Sequence, residues 1–273
     1  MTFLFDPLEK AGSTTLTIFI GYDSKEDFCA KILAHTIRKY SNHRKDFVII
    51  PLIYNQLYAN EYTSRKLDKR GSTEFSMTRF LCVPITRLHM QYPESIENKY
   101  KGLLEKYSLF LDCDMMFTES VWNLLKVADL SKPVSVCKHD YSSASRYKMH
   151  GTPQENYPRK NWSSVTLWNC LHDKSKQMTF KLADTKDPAY LHRFQGFDDN
   201  DIGELPLKWN YLVDEPMDRD YYGLEKDELP SNIHHTLGSP VFRLYQDNEY
   251  SDLWKENFKS LFSRDFDETK DTI

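Results

Sequence analysis

The sequence predicts an α/β fold in which a mixed, mostly parallel central sheet is flanked by helices. Two observations support this class. Short apolar runs rich in β-branched residues alternate with amphipathic stretches of helical periodicity. A length of 273 residues also suits one large domain with elaborations better than two small ones. We therefore expect a single domain over residues 1–273.

The first part of the chain alternates between strand and helix patterns. LTIFIGY at 16–22 is an apolar strand that stops at a polar Gly-Tyr-Asp loop, and FVIIPLIY at 47–54 is a second strand. Between them, residues 26–40 place apolar side chains at helical spacing. Residues 75–90 are amphipathic and contain Pro84, which predicts a helix that is kinked or restarted there.

The second part continues the alternation with longer polar interruptions. The predicted elements are strands at 108–117, 132–141 and 164–170, a long polar loop at 142–162, a mixed helical and acidic segment at 188–206, and a capping helix at 249–265. Ligands of such sheets bind beyond the carboxyl ends of the strands, and long loops in compact domains are often functional.

Charge and cysteine usage exclude several classes of protein. The chain has 36 Lys and Arg against 40 Asp and Glu, a formal net charge of −4, which disfavours nucleic acid as a partner. Its five cysteines are odd in number, widely spread and never form C-x-x-C, which argues against a disulfide framework or a zinc cluster. A reducing compartment, the cytoplasm, is the expected location.

The sequence contains no obvious targeting or membrane signal. In the first twelve residues, Asp6, Pro7 and Glu9 interrupt the apolar stretch before a signal-peptide core could form. No apolar run approaches the roughly 18 residues that a spanning helix needs. We therefore expect no transmembrane segment.

An acidic pair, Asp112 and Asp114, interrupts the apolar run SLFLDCDMMF. In an extended segment, side chains at i and i+2 point to the same face, so two carboxylates can share one hard cation. Burying these acids unpaired beside Leu111 and Met115 would be costly, and a metal ion would remove that cost. The alternative is a D-x-D in a solvated turn, which is common by chance.

Two polar clusters follow much later in the chain. His234 and His235 precede a turn at Gly238, and an imidazole with two carboxylates suits Mn²⁺. A structural or exposed histidine pair is the alternative. Residues 198–201 (DDND) place like charges side by side, which requires a cation, a cationic substrate group or full solvation.

Taken in order, these segments resemble glycosyltransferases of the A-type (GT-A) fold, most of all family 8 with its bacterial and viral relatives. The resemblance runs from about residue 16 to 245 and implies one Rossmann-like domain. It rests on the D-x-D at 112–114, Ser76-x-x-Arg79-Phe80, NWSSVTLWNC at 161–170, DDNDIG before Trp209-Asn210, and His235-x-x-Gly238-x-Pro240.

The resemblance implies a set of site residues. It places a divalent ion, Mn²⁺ or Mg²⁺, on Asp112, Asp114 and His235. The implied substrate-binding residues are Tyr22, Asp23, Arg79, Asn169, Trp209, Gly238 and Lys160, and the implied catalytic residues are Asp199, Asp198, Asn200 and Asp140. A nucleotide-binding part over about 14–118 and an acceptor and catalytic part over about 119–245 would precede the capping helix.

The chain departs from the family at the closing motif. Family members carry a lysine after the glycine that neutralises the β-phosphate, whereas no lysine follows Gly238 in the corresponding segment. Arg159, Lys160 or Arg243 would have to supply the cation, because the leaving diphosphate gains from one as its charge develops.

The implied activity is metal-assisted transfer of a sugar from a nucleotide-diphosphate sugar, a UDP-sugar by resemblance, to a glycan or other hydroxyl acceptor. The ion would act as a Lewis acid on the leaving diphosphate. Retention of configuration is expected from the resemblance, and inversion would require a general base near the acceptor.

Two other classes of protein were weighed. A sugar nucleotidyltransferase or pyrophosphorylase should show a Gly-rich phosphate loop after the first strand, where Gly21-Tyr22-Asp23 stands instead. A noncatalytic carbohydrate-binding protein would explain the 14% aromatic content but not a buried acidic pair.

Overall fold

A computed structural model describes residues 16–42, 47–67, 73–91, 106–149 and 151–273. The prediction made for the first twelve residues lies outside this part of the chain. The strands are β1 (Leu16–Gly21), β2 (Phe47–Leu52), β3 (Tyr107–Leu111), β4 (Met115–Phe117), β5 (Val134–Val136), β6 (Tyr147–Lys148), β7 (Thr152–Pro153), β8 (Val165–Asn169), β9 (Ile202–Glu204), β10 (Tyr211–Leu212) and β11 (Asn232–His234). The helices are α1 (Asp27–Tyr40), α2 (Tyr54–Ala59), α3 (Cys82–Gln91), α4 (Val121–Val127), α5 (Phe180–Thr185), α6 (Pro188–His192) and α7 (Ser251–Phe262).

The central sheet has six strands in the order β2-β1-β3-β8-β5-β9, which confirms the predicted mixed α/β class. Strand β8 is antiparallel to β3 and β5, and the other neighbouring pairs are parallel. Because β8 is antiparallel to β3, the first residue of β8, Val165, pairs with the last residue of β3, Leu111. The start of β8 therefore lies at the edge of the sheet where the parallel strands end.

The predicted strand over 108–117 is two strands in different sheets, so that prediction is corrected. After β3 leaves the central sheet, β4 joins a second sheet of order β10-β11-β4. Asp112, Cys113 and Asp114 form the turn between them, which is not extended. The two acids are therefore brought together by a turn and not by strand alternation. A turn is required because β3 and β4 pair with different partners.

The helical segment over 75–90 also differs in detail from its prediction. A 3-10 turn over Thr78–Leu81 leads into α3, and Pro84 is the third residue of α3. Proline is tolerated in the first turn of a helix because the first backbone N–H groups have no intrahelical partner. The irregularity therefore precedes Pro84 and is not caused by a mid-helix kink. Likewise, the strand predicted over 132–141 is only the three-residue β5.

Helix α7 caps the second sheet and lies inside the predicted range of 249–265. It packs on α1 through Phe258, whose ring centroid is 5.3 Å from that of Phe28 in an edge-on arrangement. Trp254 and Phe258 are fully buried, so the apolar stripe of α7 is covered. Among the described helices, none combines the length and apolar character needed to cross a bilayer.

Candidate active site

The acidic pair lies at the carboxyl edge of the central sheet and is buried. Asp112 and Asp114 are 7% and 4% exposed. The Asp112 backbone N–H donates to the carbonyl of Ser164, 3.1 Å away, at the entry to β8. The reversed strand thus fixes the position of the turn. Two carboxylates held so close in a dry site repel unless a cation accompanies them.

His234 faces this acidic pair. Strand β11 is antiparallel to β4, with His234 opposite Met115, which brings the imidazole beside the turn. Its Nε2 lies 3.2 Å from Asp114 Oδ1 and 4.0 Å from Asp112 Oδ2. Its Nδ1 lies 2.8 Å from Asn210 Oδ1. Because an amide oxygen only accepts, Nδ1 donates its proton to Asn210, which leaves Nε2 facing the two carboxylates.

The histidine that lies beside the acidic pair is His234, and the role of His235 as the third metal ligand stays a prediction of the resemblance. In the described part of the chain, the group able to hold a metal is Asp112, Asp114 and His234, whose ligand atoms lie within 4.8 Å of one another. The Nδ1 of His235 lies 3.1 Å from Asn248 Nδ2. Adjacent residues of an extended segment face opposite sides, so only one of the pair can meet the acids.

Arg79 supplies a positive charge to the same site, and its role in binding the donor stays a prediction. One guanidinium nitrogen lies 3.0 Å from Asp112 Oδ1 and donates to the Ser163 carbonyl at 3.0 Å. The group also lies 5.3 Å from the ring centroid of Phe75 and 5.2 Å from that of Phe110. Arg79 is thus a buried, oriented cation.

The electrostatic balance differs between the two acids. Burial raises the pKa of Asp112 although Arg79 and His234 act to lower it. Burial would also raise the pKa of Asp114, but the facing His234 holds it below its ordinary value. Glu26 is a further acid nearby. Its pKa is raised well above the usual range, mainly by burial and secondly by repulsion from Asp114.

These residues fit a divalent cation. Asp112 Oδ1 and Asp114 Oδ1 are fully buried, and neither accepts an aligned hydrogen bond from the described residues. Two carboxylates with one imidazole form a donor set typical of Mn²⁺ and related ions. His234 has the outer partner that metal-bound histidines usually have, because Asn210 accepts its Nδ1–H and itself donates to the Asn161 carbonyl at 3.2 Å.

Two adjoining cavities open from this group. The smaller, about 130 Å³, contacts Asp112, Asp114 and His234. The larger, about 640 Å³, extends away from it. They share a wall formed by Ser76, Lys148, Tyr157, Asn161, His192 and Thr236. Sequence reasoning missed most of these residues. The loop over 142–162 was expected to be functional because of its length, and it supplies Lys148, Tyr157 and Asn161. No local pattern in the sequence indicated His192.

The predicted residues Tyr22, Asp23 and Lys160 have the following positions. The Tyr22 hydroxyl donates to Asp27 at 2.9 Å. Asp23 accepts from the backbone N–H groups of Lys25 and Glu74, both at 2.9 Å, so it orders the loop after β1. Lys160 is buried, lines the larger cavity and donates to Gln154 at 3.0 Å. Roles for these residues in binding a nucleotide stay predictions.

Three other predicted substrate-binding residues are not brought to the acidic pair. Asn169 pairs with Tyr107 at the opposite edge of the sheet, about 13 Å of strand away from Val165, because β8 is reversed. Trp209 is a core residue packed on Phe117. Gly238 lines neither cavity. A Cβ there would lie 2.4 Å from the Tyr245 ring, so the glycine permits a close packing contact. Substrate-binding roles for the three residues stay predictions.

The acidic cluster 198–201 also lies away from the pair. Asp198, Asp199 and Asn200 precede β9, whose start lies beside the start of β5, and the Asn200 carbonyl accepts from Lys132 at 2.7 Å. That edge is opposite to the one where β3 ends. Asp199 is an exposed ion-pair partner of Arg159, and neither it nor the exposed Asp140 lines either cavity. Their catalytic roles stay predictions.

Comparison with solved structures identifies the fold. The chain matches the bifunctional glycosyltransferase WbbM with a TM-score of 0.58 and 15% identity, over 94% of this chain and 53% of WbbM. It matches the galactosyltransferase LgtC in complex with donor and acceptor sugar analogues with a TM-score of 0.50 and 12% identity, over 89% of this chain and 95% of LgtC. For GlyE of Streptococcus pneumoniae the TM-score is 0.50 at 13% identity, over 92% of this chain and 63% of GlyE. The chain therefore has the GT-A fold, as its motifs indicated, and spans about half the length of WbbM.

Sequence comparison then identifies the family. The chain is 35% identical to Protein CDI of Arabidopsis thaliana over 239 residues. This aligned region covers 87% of this chain and 83% of Protein CDI. The chain belongs to the family of Protein CDI. No protein-family model matches the sequence.

Proposed function

We propose that this chain is a metal-assisted glycosyltransferase that takes a sugar from a nucleotide-diphosphate sugar, a UDP-sugar, and moves it to a glycan or other hydroxyl acceptor. The observation that carries the proposal is the buried group of Asp112, Asp114 and His234, which lines the smaller of two adjoining cavities. The GT-A fold supports it, because the fold's solved examples named above are glycosyltransferases. The larger cavity, about 640 Å³, is within the range of small-molecule sites.

The chain's own residues divide the work as follows. Asp112, Asp114 and His234 would hold Mn²⁺ or Mg²⁺, which when bound supplies Lewis-acid stabilisation to the leaving diphosphate. Asn210 orients His234. Lys148, which lines both cavities, would supply the cation that the closing motif lacks.

Retention of configuration is the stereochemical part of the proposal. Among the described residues that line the smaller cavity, the only carboxylates are Asp112 and Asp114, which are assigned to the ion. An acceptor that attacks from the leaving-group face can pass its proton to the diphosphate and needs no protein carboxylate. NMR of the product anomer would test this directly.

The proposal extends to organisation and location. The nucleotide-binding part would cover about 14–118, with the acidic turn near its end, and the acceptor part about 119–245. All five cysteines are buried, unpaired thiols. A reducing compartment such as the cytoplasm fits that state.

The test is a panel of sugar nucleotides incubated with the protein, with Mn²⁺, Mg²⁺ or a chelator, and scored for released nucleoside diphosphate. We expect slow hydrolysis of at least one sugar nucleotide that requires the metal, and its loss in Asp114→Asn. Exchange of pyrophosphate into the sugar nucleotide would indicate a nucleotidyltransferase instead. Metal-independent turnover, or none with any donor while sugars still bind, would contradict the proposal.

A further inference from the structure

The larger cavity carries more positive charge than a neutral sugar acceptor requires. The charged residues lining it are five bases and one acid: Arg65, Lys66, Lys148, Lys160, Arg193 and Glu155. The whole chain is net negative at −4, so this concentration of cations is local and not a property of the overall composition.

The nucleotide-sugar donor does not account for this charge. In the proposed function the diphosphate lies at the smaller cavity, where the ion held by Asp112 and Asp114 faces it. Of the five bases, Lys148 alone also lines that cavity. The other four line the larger cavity and not the smaller one. They are therefore available to a different anionic group.

Some of these cations are held in place before any ligand arrives. Arg65 donates through Nε to the Asp184 carbonyl at 3.1 Å and also to the Lys186 carbonyl. Arg193 lies over the Tyr157 ring, 5.6 Å from its centroid. The Arg193 Nε is buried and has no hydrogen-bond acceptor among the described residues. A buried donor without an acceptor is costly, and a ligand oxygen would remove that cost.

His192, on the shared wall, reports the same positive environment. Its pKa is lowered to about 3, mainly by burial and then by the charges of Arg79, Lys148 and Arg65 in that order. A neutral imidazole in this position adds no charge of its own. The wall therefore favours an anion at neutral pH.

We infer that the larger cavity binds an acidic acceptor, a glycan whose accepting end carries a carboxylate or a phosphate. Arg193 and Lys66 would contact the acidic group, and Lys160 would stand behind them. This inference rests on the proposed function, because it names the acceptor class of the same site. Arginine suits the role, since its planar fork matches carboxylate and phosphate oxygens.

The test compares three acceptors matched in size: a neutral hexose-terminated disaccharide, the corresponding hexuronic acid, and the corresponding hexose 6-phosphate. We expect kcat/KM for at least one acidic acceptor to exceed that of the neutral one by about tenfold or more, as for a charge-assisted hydrogen bond. Comparing the two acidic acceptors separates carboxylate from phosphate recognition.

Variants then assign the preference to the cavity. Arg193→Gln and, separately, the exposed Lys66→Gln should each reduce the ratio of acidic to neutral kcat/KM, and Arg193→Lys should restore part of it. Lys226→Gln is the matched control, because Lys226 is exposed and lines neither cavity. Since Lys66 is exposed, its replacement leaves the core unchanged and keeps the test open if Arg193→Gln misfolds.

The outcomes separate this inference from the proposed function. If sugar-nucleotide hydrolysis requires metal but neutral and acidic acceptors are used equally, the inference is wrong and the function stands. An acidic preference that survives in both Lys66→Gln and Arg193→Gln also overturns it. If no sugar nucleotide is hydrolysed under any condition, the proposed function itself fails, and the inference fails with it.

Discussion

Replacing His234 with alanine should weaken Mn²⁺ binding by about 100-fold or more, which corresponds to about 2.7 kcal/mol. The reason is that its Nε2 is one of only three side-chain ligand atoms that the described residues place within 4.8 Å of one another. Removing it leaves two carboxylates. Asn210→Ala should weaken Mn²⁺ binding by about tenfold. This variant keeps all three ligands, but it removes the hydrogen bond that orients the His234 ring and fixes which ring nitrogen is protonated.

His235→Ala is an unusually close control for His234→Ala. The two histidines are adjacent, have 1% and 2% exposure, and differ only in which side of the segment they face. The loss of folding stability caused by removing a buried side chain should therefore be similar in His234→Ala and His235→Ala. Mn²⁺ binding would be measured by isothermal titration calorimetry, with urea unfolding of each variant to check the fold. If His235→Ala weakens Mn²⁺ as much as His234→Ala, our assignment of the ligand is wrong and the one implied by family resemblance is right.

The remaining predictions concern the acidic cluster and pH. Asp199→Asn tests the catalytic role that the resemblance implies: we expect turnover in single-turnover assays to fall by about tenfold or more. A change of less than about twofold would contradict that role and fit the position of Asp199, which is exposed and lines neither cavity. Burial lowers the pKa of His139 and of His192 to about 3, well below about 6.5 in the unfolded chain. The unfolded state then binds more protons than the folded state as the pH falls. The free energy of unfolding should therefore be largest above about pH 6.5 and lower at pH 5.5 by about 1.4 kcal/mol for each histidine. Urea titrations of wild type and His192→Gln check this, and an unchanged pH dependence in the variant would contradict it.

The elements that sequence predicted well are those whose burial follows a local period. Strand β1, helix α1 and strand β2 fall within their predicted ranges because each buries a face that its own sequence defines. The acidic pair was found because two carboxylates in an apolar run are conspicuous. Its burial is confirmed, although it lies in a turn.

The errors come from tertiary pairing, which leaves no local trace. The direction of β8 is set by its pairing with β3 and β5. Because β8 is antiparallel to both, Asn169 lies at the edge of the sheet away from the acidic pair, whereas Ser163 and Ser164 lie beside the pair. The choice between His234 and His235 depends on one residue of register against β4.

The basic cavity could not have been foreseen from the sequence. Its cations come from segments far apart in the chain, at 65–66, 148, 160 and 193, and only the folded structure brings them together. The resemblance singled out Lys160, but neither spacing nor composition distinguishes the other four.

The central claim is that Asp112, Asp114 and His234 hold a divalent ion that in turn binds a nucleoside diphosphate. Calorimetric titration of UDP into the protein, with Mn²⁺ and then with a chelator, tests it most directly. We expect the affinity for UDP to fall by about tenfold or more when Mn²⁺ is removed, and Asp112→Asn and Asp114→Asn to bind UDP equally weakly with or without Mn²⁺. Equal affinity for UDP in wild type with Mn²⁺, in wild type with chelator and in both folded variants would contradict the account.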